Sequence, residues 1–183
     1  QWNIKITTER DLVVARRLLE VQAAPGRIGI GYDLHRLVGG RPLVLGGVVI
    51  PHDRGLEGHS DADALCHAVT DAILGAAAVG DIGQHFPDSD ERWKGASSVE
   101  LLRSAVHLVQ SRGFVVANLD VVVVTEQPKI SPYVAQMRST LASAIGVDEG
   151  GVSIKAKTNE GVDAVGRGEA IAVHAVAMVV PSE

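Results

Sequence analysis

Residues 59–83 form the segment that most constrains the fold, because their composition predicts a long helix with two different faces. The segment is rich in Ala and Leu, which favour helix, and it predicts a helix over about 60–78. Ser60 or Asp61 can accept a hydrogen bond from the free N–H groups of the first turn, so either residue can begin the helix. Apolar residues recur at helical spacing and predict a buried face, namely Leu65, Val69, Ile73 and Ala76.

A second line of side chains on this helix is polar. Asp63, His67 and Asp71 are spaced so that neighbouring members can meet along one edge of the helix. A carboxylate, an imidazole and a second carboxylate are costly to bury for packing alone. The pattern therefore indicates a cation beside the helix.

The composition limits the classes of function. With 183 residues, 46% of them hydrophobic and 21% charged, the chain has the make-up of one soluble globular domain. A formal charge of −5 and the lack of a basic cluster argue against a nucleic-acid partner, and no apolar run approaches the ~20 residues that span a membrane. The single cysteine, Cys66, excludes an internal disulfide and is compatible with a reducing cytoplasm. Because only 3% of residues are aromatic, the core must use smaller side chains, and association is one way to gain burial.

Residues 1–24 stand apart from the rest of the chain. The pattern predicts a short strand from Trp2 to Ile6, an amphipathic helix that begins near Thr7, and a linker at Ala23–Gly26. On pattern alone, these elements are an N-terminal strand and helix of the same domain.

Residues 27–183 predict an α+β domain in which helices pack on one face of a mixed sheet. The Gly46-Gly47 pair predicts a hairpin turn. A capping box from Ser97 to Glu100 predicts the start of a second helix, and Gly113 predicts its end. The predicted strands cover 27–35, 114–126, 151–157 and 169–180, the hairpin covers 42–51, the further helices cover 97–112 and 132–145, and a loop covers 79–96.

Three residues from separate elements suit a metal ion. Asp33 and His35 lie two apart in a predicted strand, so they project from the same face. That pair, or His67 alone, commonly occurs without a metal. Together, two imidazoles and a carboxylate make a three-ligand set that leaves a fourth position open, as in catalytic zinc sites. Cys66 lies about 100° around the helix from His67, so it is better explained as a small buried side chain.

Two polar turns near the end of the chain each admit two interpretations. Residues 155–161 place two cations, a hydroxyl and a carboxylate at a strand end, which suits a phosphate with its magnesium ion or simply a polar turn. Residues 166–169 suit a second anion site or a paired surface turn. By contrast, Gly80–Gly83 follows a helix end and is therefore not a nucleotide-binding fingerprint.

Six short motifs, occurring in order, give most of the chain a resemblance to a known family. They are Gly31-Tyr-Asp-Leu-His35, His59-Ser-Asp-Ala-Asp63, His67-Ala-Val-Thr-Asp71, Gly80-Asp-Ile-Gly83, Phe86-Pro-Asp-Ser-Asp90 and Gly166-Arg-Gly-Glu169. Over residues 27–180 the chain resembles the 2-C-methyl-D-erythritol 2,4-cyclodiphosphate synthases of the non-mevalonate isoprenoid route. Residues 1–20 resemble the end of 4-diphosphocytidyl-2-C-methyl-D-erythritol cytidylyltransferase. The two resemblances imply a synthase domain at 27–183, and a remnant of a preceding cytidylyltransferase-like domain or linker at 1–24.

The resemblance implies a homotrimer whose sheets face the threefold axis, with active sites between neighbouring subunits. It implies zinc on Asp33, His35 and His67, and a magnesium or manganese ion on Glu160. It also implies that His59 and Thr158 stabilise the charge that develops during the reaction. The residues expected to contact the cytidine diphosphate-linked substrate are Asp33, His35, His59, Ser60, Asp63, Asp81, Ile82, Gly83, Phe86, Pro87, Asp88, Ser89, Asp90, Thr125, Glu126, Gln127, Pro128, Lys129, Lys157, Thr158, Asn159, Glu160 and Arg167.

The implied reaction converts 4-diphosphocytidyl-2-C-methyl-D-erythritol 2-phosphate to a cyclic diphosphate with release of CMP, in the cytoplasm or a plastid-type compartment. Three positions depart from the family pattern: Lys157 and Asn159 replace threonines, and Ala164 stands where an aromatic residue often precedes the Gly-Arg-Gly-Glu turn. Family members can carry a central cavity for an isoprenoid diphosphate near this turn, where Arg167 would contact the anion. A metal-dependent phosphohydrolase and a non-catalytic trimeric scaffold are the alternative functions.

Overall fold

The computed structural model describes residues 5–20 and 26–182. The predicted linker at Ala23–Gly26 and the predicted strand at Trp2–Ile6 lie largely outside these ranges. The helices are α1 Glu9–Glu20, α2 Ala64–Ala76, α3 Ile82–His85, α4 Ser98–Ser111, α5 Val134–Ile145 and α6 Asp163–Gly166. The strands are β1 Arg27–Gly39, β2 Leu43–Leu45, β3 Val48–Ile50, β4 Arg54–Leu56, β5 Phe114–Val124, β6 Val152–Lys157 and β7 Ala170–Pro181.

Five strands form the main sheet in the order β4-β1-β7-β5-β6, and β2 and β3 form a separate hairpin. Strands β5 and β6 are parallel, whereas the other neighbours in the main sheet are antiparallel. This confirms the predicted mixed sheet and α+β class. The predicted hairpin is also confirmed, with Gly46 and Gly47 both at positive φ in its turn.

Helix α2 packs directly on the backbone of β1 because two glycines of the strand face it. A Cβ atom on Gly31 would lie 1.9 Å from the Ala68 carbonyl oxygen, and one on Gly29 would lie 2.1 Å from that of Ala72. Only a residue without a side chain permits this approach. The contact brings the first turn of α2, which carries His67, close to the middle of β1, which carries Asp33.

The core lies between the sheet and its helices and is built from aliphatic side chains, as the composition predicts. Leu65, Val69 and Ile73 of α2 are fully buried, which confirms the predicted apolar face of that helix. Cys66 is also fully buried, and burial raises the pKa of its thiol well above the ordinary value. The thiol therefore has the environment of a small core side chain.

The opposite face of the sheet carries exposed apolar side chains. Ile28, Ile30, Tyr32 and Leu34 alternate along β1 and are between 46% and 72% exposed, and Val176 on the neighbouring strand β7 is 42% exposed. A continuous apolar patch of this kind is typical of a protein–protein contact. Helix α1 also exposes apolar side chains, among them Leu12 and Val13.

Several predicted element boundaries are wrong. Helix α2 begins after Asp63, whose side chain accepts hydrogen bonds from the backbone N–H groups of Leu65 and Cys66, rather than at Ser60 or Asp61. The start of α4 at Ser97 is confirmed, although within the described part of the chain the Ser97 side chain makes no capping hydrogen bond. Strand β4 was not predicted, and the predicted loop at 79–96 contains α3 and a 3₁₀ turn at Glu91–Trp93.

Across residues 5–20 and 26–182, none of the helices has both the length and the apolar character needed to cross a membrane.

Candidate metal centre and substrate cleft

Asp33, His35 and His67 meet at the edge where β1 faces the first turn of α2. One carboxylate oxygen, Asp33 Oδ2, lies 2.8 Å from His35 Nε2 and 3.0 Å from His67 Nδ1. One potential ligand atom from each of the three residues lies within 4.8 Å of the other two. The predicted clustering of the three residues is therefore confirmed, and their two nitrogens and one oxygen are the donor set that zinc accepts.

The outer nitrogen of each imidazole is held by a group outside the cluster. His35 Nδ1 lies 2.5 Å from the carbonyl oxygen of Glu57, and His67 Nε2 lies 2.9 Å from Ser98 Oγ. Such partners fix the orientation of metal-binding histidines. The nitrogens that face Asp33 are thus the two that are placed to bind a metal.

The electrostatics of the cluster suit a cation. Burial opposes ionisation of Asp33, but hydrogen bonds from His35 and His67 outweigh it and lower the pKa of this carboxyl to about 2. Burial favours the neutral form of His35, yet its hydrogen bond to Asp33 outweighs this and raises the pKa of the imidazole above its ordinary value. At neutral pH the cluster therefore holds an ionised carboxylate, which suits a cation.

A cleft of about 400 Å³ opens beside the cluster. It brings together predicted site residues from four segments of the sequence. Its lining consists of Asp33, His35, Gly58, His59, Ser60, His67, Ile82, Gly83, Phe86, Pro87, Asp88, Trp93 and Leu101.

The loop that carries His59 is held from both sides. The guanidinium group of Arg41 donates to the carbonyl oxygens of Gly58 at 2.5 Å and Ser60 at 2.7 Å. On the other side, the Gly95 N–H donates to the His59 carbonyl oxygen at 3.0 Å. Within the described part of the chain, the buried His59 Nε2 and Trp93 Nε1 atoms have no hydrogen-bond partner. Both atoms belong to cleft residues, so they are candidates for contact with a ligand.

A second, smaller pocket of about 130 Å³ lies where β5 and β6 end. Its lining consists of Thr125, Pro128, Lys129, Ile130, Ser131, Ala156, Lys157 and Thr158. Thr158 Oγ1 donates to Glu160 Oε1 at 2.8 Å, and Glu126 Oε1 accepts from the Asn159 N–H at 2.9 Å. Among the described residues, none lines both this pocket and the larger cleft.

The predicted substrate contact of Asp63 is wrong for its side chain. Its carboxylate is fully buried and accepts from Gly46 N at 2.9 Å, from Gly47 N at 2.6 Å and from the first turn of α2. The predicted polar line on the helix is likewise wrong at Asp63, which precedes the helix, and Asp71 uses its carboxylate to accept from the Ile82 N–H at 2.7 Å. Asp33 from β1 takes the place beside His67 that this line assigned to Asp63 and Asp71.

Other predicted contact residues lie outside the cleft lining. Asp81 begins α3 and accepts from Gln84, and Asp90 pairs with Arg92. Arg167 forms an exposed ion pair with Glu169 at 3.0 Å, which matches the interpretation of a paired surface turn. Ser89, Gln127, Asn159 and Glu160 are also absent from the linings of both described pockets.

Sequence reasoning missed Gly58, Trp93 and Leu101 of the cleft. A Cβ atom on Gly58 would lie 3.2 Å from the ring of His35, so the glycine admits the imidazole. Trp93 packs edge-on against Phe86 with 5.2 Å between ring centres. One available signal was that Trp93 is one of only 2 tryptophans in a chain poor in aromatic residues.

Comparison with known proteins places the chain in a family. The YgbB family matches residues 26–180. The chain belongs to the YgbB family. It is 54% identical over 154 residues to the 2-C-methyl-D-erythritol 2,4-cyclodiphosphate synthase of Alkaliphilus oremlandii, an alignment that covers 84% of this chain and 98% of the relative. The corresponding enzyme of Laribacter hongkongensis is 58% identical over 153 residues, which cover 84% of this chain and 94% of the relative.

Longer relatives also match. The bifunctional enzyme IspD/IspF of Desulforudis audaxviator is 53% identical over 175 residues, covering 96% of this chain but only 44% of the relative. Among solved structures, bifunctional IspDF from Campylobacter jejuni has a TM-score of 0.84 and 40% identity, covering 87% of this chain and 43% of that chain. A CDP-bound 2C-methyl-D-erythritol-2,4-cyclodiphosphate synthase has a TM-score of 0.77 and 38% identity, covering 84% of this chain and 99% of that chain.

Proposed function

We propose that this chain converts 4-diphosphocytidyl-2-C-methyl-D-erythritol 2-phosphate to 2-C-methyl-D-erythritol 2,4-cyclodiphosphate with release of CMP, as a phosphorus–oxygen lyase. The observation that carries the proposal is the Asp33–His35–His67 cluster at the wall of a cleft, in a chain whose relatives are named for this product. An oxygen of the 2-phosphate attacks the β-phosphorus. The bond from that phosphorus to the oxygen of CMP breaks, and CMP leaves with the electron pair.

The cleft residues hold the reacting phosphates. Asp33, His35 and His67 would bind zinc, which when bound supplies Lewis-acid polarisation of a phosphate oxygen. His59 donates from its unpartnered Nε2 to the charge that develops at phosphorus, and the braces from Arg41 and Gly95 hold its loop in place. The methylerythritol end lies along Ile82, Gly83 and the Phe86–Asp88 segment. No side-chain nucleophile is required, because one phosphate of the substrate attacks the other.

The cytidine end belongs to the smaller pocket of a neighbouring subunit. The segment from Thr125 to Lys129 would surround the cytidine: Thr125, Pro128 and Lys129 line the pocket, whereas Glu126 and Gln127 lie between them outside its lining. Lys157 and Thr158 would face the diphosphate. Glu160 would hold a magnesium or manganese ion, which would offset the negative charge of the substrate. The separation of this pocket from the cleft within one chain supports a site that is shared between subunits.

The assembly that joins the two pockets is a homotrimer in which the exposed faces of the sheets meet around the threefold axis. The exposed apolar side chains of Ile28, Ile30, Tyr32 and Leu34 support this arrangement, because burying them is favourable. Light scattering should give three times the 19.2 kDa mass of the chain. The mass of a single chain would contradict the trimer.

Incubation with the cytidylylated substrate tests the reaction. With zinc-loaded protein and magnesium, mass spectrometry should detect CMP and the cyclic diphosphate in equal amounts. Inorganic phosphate in place of the cyclic product would instead indicate a phosphohydrolase. Failure of folded, metal-loaded trimer to turn the substrate over would favour the scaffold alternative.

Residues 1–24 are proposed to be the end of a fused cytidylyltransferase domain or the linker that follows it. The bifunctional relatives support this, because their alignments extend over 96% and 97% of this chain.

A further inference from the structure

A chain of hydrogen bonds leads away from the candidate metal centre, from His67 through Ser98 to Asp61. We propose that Ser98, itself oriented by Asp61, is a positioning residue that keeps the imidazole proton of His67 on Nε2 and so leaves Nδ1 free to bind metal. The metal function of His67 rests on the proposed function above. The hydrogen-bond arrangement can be tested without metal.

The direction of each hydrogen bond follows from which atoms can donate. The Ser98 hydroxyl contacts Asp61 Oδ1, and the Ser98 N–H donates to Asp61 Oδ2 at 3.1 Å. An ionised carboxylate can only accept, so the single hydroxyl proton of Ser98 points to Asp61. The lone pairs of Ser98 Oγ therefore face His67 Nε2, 2.9 Å away, and that nitrogen must carry the proton that fills the bond.

Asp33 and Ser98 compete for the single imidazole proton of a neutral His67. His67 Nδ1 lies 3.0 Å from Asp33 Oδ2, so this carboxylate attracts the same proton to the opposite side of the ring. A neutral imidazole with its proton on Nδ1 offers no lone pair to a metal at that atom. Ser98 opposes Asp33, because its bond is satisfied only when the proton is on Nε2.

The burial of Ser98 strengthens its hydrogen bond with His67. Ser98 is fully buried at the start of α4, and its hydroxyl cannot exchange Asp61 for water. Ser60 Oγ also lies near His67 Nε2, but it is farther away at 3.2 Å and already accepts from the Ala62 N–H at 3.1 Å. Because the Ser98 proton goes to Asp61, the Ser60 hydroxyl can donate to Ser98 Oγ at 3.3 Å. Ser98 is therefore the main acceptor.

The sequence offers a matched control in the adjacent serine. Ser97 is exposed, and within the described part of the chain its side chain makes no capping hydrogen bond. Ser97→Ala therefore removes a hydroxyl from the same helix start and leaves the hydrogen bonds between His67, Ser98 and Asp61 in place. Ser98→Ala should weaken zinc binding about 10–100-fold, the usual effect of removing a partner of a metal-bound histidine. Ser97→Ala should leave zinc affinity unchanged. Zinc affinity is measured by competition with a chromophoric chelator.

A second measurement separates positioning from a general loss of structure. In metal-free protein, imidazole ¹⁵N chemical shifts should show a lower fraction of Nε2-protonated His67 in Ser98→Ala than in the wild type. If Ser98→Ala fails to fold, Asp61→Asn replaces it, since the amide keeps the shape and weakens the hold on the Ser98 hydroxyl. If the folded variant, Ser98→Ala or Asp61→Asn, leaves the position of the His67 proton unchanged, the proposal is overturned, whether or not zinc affinity falls. If the variant changes the proton position as expected but the wild-type protein binds no zinc, the proposed metal centre is overturned instead.

Discussion

Two polar clusters lie at the same end of the sheet, and they differ in how completely they are built within one chain. His35 of β1 and Lys157 of β6 are nearly level in the strand register. The Asp33–His35–His67 cluster is held by Glu57, by Ser98 and by the contact between α2 and β1. The cluster at 157–160 is more open, and its hydrogen bonds run mainly between neighbouring turns.

The difference indicates which half of the site is rigid before a ligand arrives. Groups that must hold a metal need fixed geometry, and here packing and outer hydrogen bonds provide it. In the open cluster, Lys157 and Glu160 are exposed, and no wall from the described part of the chain covers them. A second subunit that supplies this wall would complete the site, as the proposed trimer requires.

The largest effect is expected from adding a methyl group at Gly31, in the strand that carries Asp33 and His35. Gly31→Ala places a carbon atom against the Ala68 carbonyl oxygen, so strand and helix must separate. We expect a loss of about 3 kcal/mol in the free energy of unfolding, measured by urea denaturation, together with loss of zinc. Gly39→Ala in the same strand is the control, because its Cβ would meet open space. Equal stability of the two variants would show that the close packing of α2 does not assemble the cluster.

Removing one ligand should break the metal centre while leaving the second pocket intact. His67→Ala should purify with zinc well below full occupancy, because only two protein ligands remain. Elemental analysis by mass spectrometry measures the occupancy. The buried Cys66 provides the control, since Cys66→Ala should keep its zinc. Full occupancy in His67→Ala, or loss in Cys66→Ala, would mean that the ligand set is wrong.

Mixed trimers can show whether the two clusters act across subunits. His59→Ala and Thr158→Ala should each be nearly inactive alone. When they are co-expressed, about a quarter of the sites should combine an intact cleft with an intact partner pocket, and turnover should recover to that extent. The recovery is measured by CMP release from the whole co-expressed trimer population, with the two chains at equal levels. Mixed trimers as inactive as their parents would place both residues in one subunit's site.

The smallest effect is expected from deleting residues 1–24. Helix α1 exposes Leu12 and Val13, and its described capping bonds are local ones between Asp11 and Thr7 or Thr8. Turnover and zinc content should therefore stay nearly unchanged. Size-exclusion chromatography should also show the same assembly. Loss of folding or trimer formation would assign the segment to the synthase fold.

Sequence reasoning succeeded where the pattern was periodic or the motif was specific, and it failed where distant groups compete for one side chain. The alternation of β1 placed Asp33 and His35 on one face, and the motifs added His67. Local capping rules placed the start of α4 correctly at Ser97, but they assigned the start of α2 to Ser60 or Asp61. In the fold, the hairpin turn and α2 both bond Asp63, and Asp61 instead bonds Ser98 at the start of α4. No local pattern contains these long-range partners.

The glycine contact between β1 and α2 has a consequence for how this family can vary. The spacing between the strand that carries Asp33 and the helix that carries His67 is set by main chain against main chain, at Gly29 and Gly31. Side chains elsewhere in the core can change in size without altering that spacing, because none of them acts as a spacer there. Substitutions elsewhere in the core should therefore leave the distance between Asp33 and His67 unchanged. Substitutions at the two glycines should alter it.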